Sequence, residues 1–320
     1  MDTASHLLFG ATLAGLAYLD PVVALNPAVA SAVFVGTMVG SHAPDCDALI
    51  RVKGFSSYIR YHRGITHSVP AIFIWPLLIS FPLAWGYDVQ GEWFTVYTWT
   101  FLSVLIHIAL DALNAYGVQA LRPFVKRWIH LDILPIFDPF LFTTHTIGIV
   151  LWLGFGWQPT MLFPWIYAGS LVYIAIKAGY HLFLVKHVCK QFPDEGSSQV
   201  VPTFQWFHWL FVFETDNKFY AGRIVGRYMI IEEEYLKTEE HPIIQATMHI
   251  DGVRAFLQFA QRVHVTYKKN QDGYEVRWSD VRFWYNRKLP FGVDVTLDHQ
   301  MNVIEHRLGW RKKAWEGPFV

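Results

Sequence analysis

Apolar segments crowd the first 185 residues. Six are readable, at about 7–19, 27–40, 69–85, 94–110, 147–157 and 161–185. A chain can cross a bilayer only where its backbone groups bond internally, so such runs read as helices. A full crossing takes about 20 residues; several of these runs are shorter, so their polar flanks are expected to be helical at headgroup depth. Prolines at 70, 76 and 82 predict a bent third helix. The fifth segment reads as either a span or a re-entrant hairpin.

Only 16% of the residues are charged, against about 25% in a soluble domain. Residues 1–192 hold ten Lys/Arg and nine Asp/Glu, whereas the shorter remainder holds sixteen and seventeen. That step predicts a membrane-embedded helical domain over 1–192 and a soluble domain over 200–320. The formal net charge is zero, so no global field argues for nucleic acid. Cys46 and Cys189 offer no disulfide framework. The N-terminus lacks the basic start of a secretory leader, and the first segment is expected to be retained.

The connections at 20–26, 86–93 and 158–160 carry no Lys or Arg. The connection 41–64 carries Arg51, Lys53, Arg60 and Arg63, and 117–146 carries Arg122, Lys126 and Arg127. With six crossings, the basic connections share one side with both termini. The positive-inside rule makes that side cytoplasmic. In the last third, 206–227 reads as strand, turn at Thr215–Lys218 and strand; 274–286, 291–298 and 302–310 alternate as half-buried strands do, and 250–262 has helical spacing, so a small α+β domain with an antiparallel sheet is predicted. His208, His241, His249, His264, His299 and His306 are scattered there, and no chemistry is assigned to them.

The same side of the membrane collects the ionisable residues. Asp2 and His6 open the first helix, and GSHAPDCD, with His42, Asp45 and Asp47, follows the second. RYHRGITHS, with Arg60, His62, Arg63, Thr66 and His67, precedes the third, and HIALDALNAYG, with His107, Asp111 and Asn114, ends the fourth. Asp132, Asp138 and His145 come next, whereas the opposite side offers only Asp20, Asp88 and Glu92. His107 and Asp111 are i, i+4 and share a helix face. Ionisable groups at the end of an apolar helix need partners or a function. Imidazole with carboxylate suits zinc, and also manganese or iron, so His6, His42, Asp45, Asp47, His62, His67, His107 and Asp111 form the candidate ligand pool for one or two divalent ions, zinc or manganese first. Cys46 is not included. Arg60 and Arg63 are candidates to clamp an anion, since guanidinium donors grip two phosphate oxygens at once. Asp47 and Asp138 are candidate catalytic carboxylates.

His6 together with HAPDCD, HRGITHS and HIALDALNAYG resembles the YdjM/YfhP-like family of bacterial inner-membrane proteins assigned as metal-dependent hydrolases. The likeness covers about residues 1–145, and the YfhP-type bacillary members also carry a C-terminal soluble extension. A more distant likeness is to zinc-dependent phospholipase C and the P1-type nucleases. His107 and Asp111 match their His-x-x-x-Asp pair, and Asp47 with His62 or His67 matches their upstream ligands. Their later His-x-x-x-Glu element has no counterpart, because Ile149 follows His145. The resemblance therefore implies two metals rather than three. A free N-terminal amine ligand is not expected, because Met1 and Asp2 precede His6.

These observations predict an all-α polytopic membrane helical bundle with a small C-terminal α+β soluble domain, acting as a metal-dependent hydrolase of a phosphoester in a lipid or amphiphile. The partners expected are the bilayer, an anionic lipid or phosphoester substrate, and a protein bound by the C-terminal domain. Two alternatives stand beside this. One is a non-catalytic membrane scaffold or regulator. The other is a metal-ion transporter, for which Lys177 and His181 are the only ionisable residues deep in a segment.

Overall fold

A computed structural model describes residues 1–193 and 195–311; the end of the expected C-terminal domain, 312–320, lies outside the described residues. The helices are α1 (Thr3–Leu16), α2 (Pro21–Leu25), α3 (Pro27–Gly40), α4 (Phe55–Tyr61), α5 (Val69–Gly86), α6 (Trp93–Ala112), α7 (Pro139–Ile149), α8 (Pro159–Gln191), α9 (Pro242–Gln245) and α10 (Asp251–Phe259). The chain divides into two compact units. One comprises Met1–Ala48 and His62–Gly179; the other comprises Leu49–Tyr61 and the described residues from Tyr180 onward.

The first unit is all helical. Pro at the first turn with Asp or Asn before it starts α2, α3 and α7: Asp20, Asn26 and Asp138 each accept from backbone N–H groups of the first turn. α3 contacts α1, α5 and α6, and α1 also contacts α6 and α7. Ala17, Val29, Ala32, Val33, Ala84 and Val96 are small core residues that draw these helices together. Three apolar helical stretches among the described residues are long enough to cross a membrane: Val69–Gly86, Gln90–Ala112 and Pro159–Gln191. Thr3–Leu19 and Pro139–Gly154 are apolar but shorter, and α3 has 14 residues. The helices found follow the six apolar segments, but only three reach membrane length. The third segment runs as one helix through Pro76 and Pro82, and the fifth passes from α7 into a wider π turn at Val150–Gly154. Phe73, Ile74, Leu77, Leu78 and Phe81 are exposed along α5, as lipid-facing side chains are.

The second unit holds two four-stranded antiparallel sheets where one was expected. The first is the meander β1 (Ser197–Pro202), β2 (His208–Glu214), β3 (Lys218–Val225), β4 (Tyr228–Leu236). The second is β5 (Val263–Asn270), β6 (Gly273–Asp280), β7 (Phe291–Leu297), β8 (Val303–Trp310). The residues read as one strand over 274–286 stop at Asp280, whose side chain accepts from Arg282 N and turns the chain into a 3-10 helix. Trp209, Phe211 and Phe213 alternate along β2 onto one face, where Leu184 and Val188 of α8 cover them. α10 packs against α4, β7 and β8.

Candidate metal centre

Four separate stretches of the first unit meet around one cluster. α3 reaches α6 closely because Gly36 and Gly40 face Thr100 and Ser103; a Cβ on Gly36 would lie 2.4 Å from Thr100 Oγ1, and one on Gly40 3.1 Å from Thr100 O. Ser103 Oγ donates to Thr37 O at 2.6 Å, and one turn further His107 Nδ1 lies 2.7 Å from the Ser41 carbonyl. A carbonyl only accepts, so Nδ1 carries the proton and Nε2 turns its lone pair to the cluster. Past Ser41, Pro44 cannot extend an α-helical ladder. The chain tightens into a 3-10 run, Ala43–Lys53, which delivers Asp45 and Asp47.

The other side comes from HRGITHS. Arg63 has φ +57, rare for a residue with a Cβ, and this turn lets its N–H donate to Asp47 Oδ2 at 2.9 Å. Thr66 Oγ1 donates to the same oxygen. His62 Nδ1 meets Asp47 Oδ1 at 2.6 Å. His67 is fully buried; its Nδ1 faces Thr66 Oγ1 at 3.0 Å and Asp47 Oδ2 at 3.7 Å, leaving Nε2 for the centre.

Two overlapping sets result: Asp45, His67, His107 and Asp111, and Asp45, Asp47 and His62. Within each set the ligand atoms all lie within 4.8 Å of one another. In the first, His67 Nε2 and His107 Nε2 are 3.2 Å apart, and each stands 3.4–3.7 Å from Asp45 Oδ1 and Asp111 Oδ2. Asp45 Oδ1 and Asp111 Oδ2 are buried with no hydrogen-bond donor among the described residues. Buried acceptors left this way are costly. Two facing imidazole nitrogens and two orphaned carboxylate oxygens are the donor set a divalent cation satisfies, so the residues fit the group. Burial opposes ionisation of Asp45, but the His107 and His67 imidazoles beside it hold its carboxyl far below the usual range. Burial likewise opposes Asp47, and His62 and His67 hold it at about 2. Burial pulls His67 down, yet Asp111, Asp45 and Asp47 raise it to about 10.

His6 stacks on His107 with ring centroids 3.9 Å apart and puts Nε2 3.2 Å from Asp111 Oδ1. His42 lies outside both sets, although neither of its buried ring nitrogens has a partner among the described residues. Arg63 reaches Asp111 Oδ1 at 3.0 Å and Asn114 Oδ1 at 3.2 Å. Arg60 belongs to the second unit, where it pairs with Asp251 Oδ1 at 2.6 Å. Asp138 sits in a different polar cluster, accepting from Tyr173 and, at 3.0 Å, from Lys177 Nζ. His145 bonds Thr12 and Ser170 inside the bundle. Cys46 is exposed; burial and the Asp47 and Asp45 carboxylates push its thiol up, away from the thiolate a metal needs. Two participants escaped the sequence reading. The Met1 amine, set aside there, is buried against Asp111. The Ser41 carbonyl orients His107, and a backbone group leaves no signature in a residue pattern.

Residues 1–182 match the family described as YdjM inner membrane protein, and residues 242–316 match the YfhP C-terminal alpha/beta plait domain. The chain is 34% identical over 313 residues to the uncharacterized protein YfhP of Bacillus subtilis strain 168, covering 97% of this chain and 95% of that one. No solved structure matches.

Proposed function

The chain belongs to the YdjM inner membrane protein family, and from that membership and its buried His/Asp cluster we propose a membrane-bound, metal-dependent hydrolase of a phosphoester carried by a lipid or other amphiphile. The observation that carries this reading is the convergence of His67 Nε2 and His107 Nε2 on the partnerless oxygens of Asp45 and Asp111. Asp45, His67, His107 and Asp111 would hold one divalent ion, zinc or manganese by donor type. Asp47 and His62 would hold a second, with Asp45 common to both; His6 borders the first through Asp111. Bound there, such ions supply Lewis acidity and acidify water.

The chain's own residues do the rest. Ser41 and Thr66 hold the rings of His107 and His67 with their lone pairs inward. Thr66, His62 and the Arg63 N–H lock Asp47 in place. Arg63 places a cationic fork beside Asp111, where a phosphoryl oxygen would gain two donors. Asp138, committed to Lys177 and Tyr173, would serve the bundle rather than the reaction, and the anion clamp narrows to Arg63. The basic connections would face the cytoplasm together with the C-terminal domain.

The test is metal stoichiometry and hydrolysis of a chromogenic phosphodiester on the same preparations. Bound zinc or manganese at one or two per chain, with hydrolysis lost on chelation and restored by the ion, supports the reading. A second reading is favoured by the cations already present: Arg63 and the Met1 amine both contact Asp111, so the cluster would be a self-neutralised polar knot in a non-catalytic membrane scaffold. Purified protein free of metal, and unable to take it up, would favour that.

A further inference from the structure

The first sheet of the second unit differs sharply at its two ends. β2 runs alongside the end of α8: the Trp209 ring lies 5.9 Å from that of Tyr180, and Phe213 stacks on Phe192 at 4.1 Å. The β1–β2 connection and the β3–β4 turn therefore both lie at the Tyr180 end. Tyr180 OH donates to Gly226 O at 2.9 Å, and Gly226 N donates to Phe207 O at 2.9 Å. At this end Phe207 is 60% and Tyr228 80% exposed, with Phe204 and Arg227 exposed beside them. At the opposite end the β2–β3 turn shows Asp216 and Asn217 to solvent.

α8 says which end meets the membrane. Its 33 residues make a helix of about 50 Å, longer than the ~30 Å hydrocarbon core. Residues 159–176 carry no Asp, Glu, Lys or Arg, and the first charged side chain is Lys177. About 20 residues from Pro159 bring the helix to the bilayer surface near Tyr180, the end that carries the exposed rings. Aromatic side chains with an arginine are what the headgroup boundary selects, and a cation there is drawn to anionic lipid. We propose that Phe204, Phe207 and Tyr228, with Arg227, form a membrane-interface anchor that seats the second unit on the bilayer α8 crosses.

The test uses the full chain in vesicles of phosphatidylcholine and phosphatidylglycerol, with Cys46→Ser and Cys189→Ser removing the native thiols. An environment-sensitive fluorophore is placed at Phe207→Cys, Tyr228→Cys or, as the far-end reference, Asp216→Cys; each tip variant keeps two of the three rings. Labels at 207 and 228 should emit blue-shifted light, lose at least half their intensity to lipids brominated high on the acyl chain, and resist iodide. The label at 216 should do the reverse. Tip labels as open to iodide as the 216 label would overturn the proposal. So would tip labels shielded from iodide yet unquenched by brominated lipid, which would mean that protein covers them.

Discussion

His107 is tied to Ser41 across the closest contact of α3 with α6, its Nδ1 2.7 Å from the Ser41 carbonyl. One backbone oxygen thereby fixes which imidazole nitrogen can meet a cation. On the same helix face, Asp111 turns to the same point an oxygen with no hydrogen-bond partner among the described residues. The chemistry of the centre thus depends on how two apolar helices pack.

Removing a ligand tests the centre directly. His107→Ala and Asp111→Asn should each lower affinity for zinc or manganese at least 10-fold, the scale seen for lesser, outer-shell losses. His249→Ala and His299→Ala should leave it unchanged. Elemental analysis after equilibrium dialysis compares them. Equal metal in all four variants would place the site elsewhere.

Helix spacing should matter at a distance from the ligands. Gly36→Val forces side-chain atoms against Thr100 Oγ1. Overpacking of this kind costs about 1–3 kcal/mol, and moving α6 off α3 loosens the His107–Ser41 bond. The variant should melt several degrees lower and bind metal more weakly. A stabilised variant with unchanged affinity would show that the glycine is not what brings the helices together.

Arg63 and Arg60 should separate cleanly. Arg63→Lys keeps the charge but loses the fork that reaches both Asp111 and Asn114. Hydrolysis of an anionic phosphodiester should fall about 10-fold or more, on the scale of one charge-assisted bond, while metal content holds. Arg60→Lys alters the contact with Asp251 and should spare hydrolysis. Matching rates in both variants would leave the phosphoester reading without its anion-binding group.

The metal-free protein should respond to alkaline pH. His67 stands near 10, above its ordinary value of about 6.5. A proton bound more tightly in the folded state stabilises it, fully below the unfolded value and less as pH rises through the folded one. The melting temperature of chelated protein should therefore drop between about pH 7 and 10, and His67→Gln should flatten that slope. Asp47, held at about 2, acts in the opposite direction: its contribution is lost only as pH falls from its usual value near 4. A flat alkaline profile in the parent protein would refute the His67 assignment.

The buried Lys177–Asp138 pair should behave as a structural tie. Lys177→Met leaves the buried Asp138 carboxylate to Tyr173 and backbone N–H groups, and breaking such a pair costs about 3–5 kcal/mol. Adding Asp138→Asn, which can still cap α7, should recover part of the loss. Thermal unfolding in detergent measures both. No recovery in the double variant would mean that the lysine stabilises the bundle through its packing instead.

The apolar segments and the site motifs were readable because each rests on local chemistry. Pro27–Gly40 is bounded by a capping asparagine with proline at one end and glycine at the other, and the helix found matches the segment read. His107 and Asp111 share a face by helical geometry alone. What escaped depends on distant partners. β4 and β5 do not alternate cleanly, since YMIIEEEYL has one largely exposed side and VHVTYKKN ends in exposed polar residues, and their places are set by pairing with β3 and β6. Arg60 sits three residues from Arg63 in one motif, yet the two fall in different units. Asp138 looks like a site carboxylate until the fold brings Tyr173 and Lys177 to it.

Asp45 belongs to both ligand sets. Two cations sharing one carboxylate cannot fill independently. The first to arrive would freeze that side chain and spare the second the ordering cost, while its charge would repel the newcomer. The balance is a coupling free energy, and it is reciprocal: whatever the inner ion does to the affinity of the outer one, the outer does to the inner. Metal supply would then set how many ions each molecule holds and, through the same carboxylate, the fraction of molecules competent at any moment.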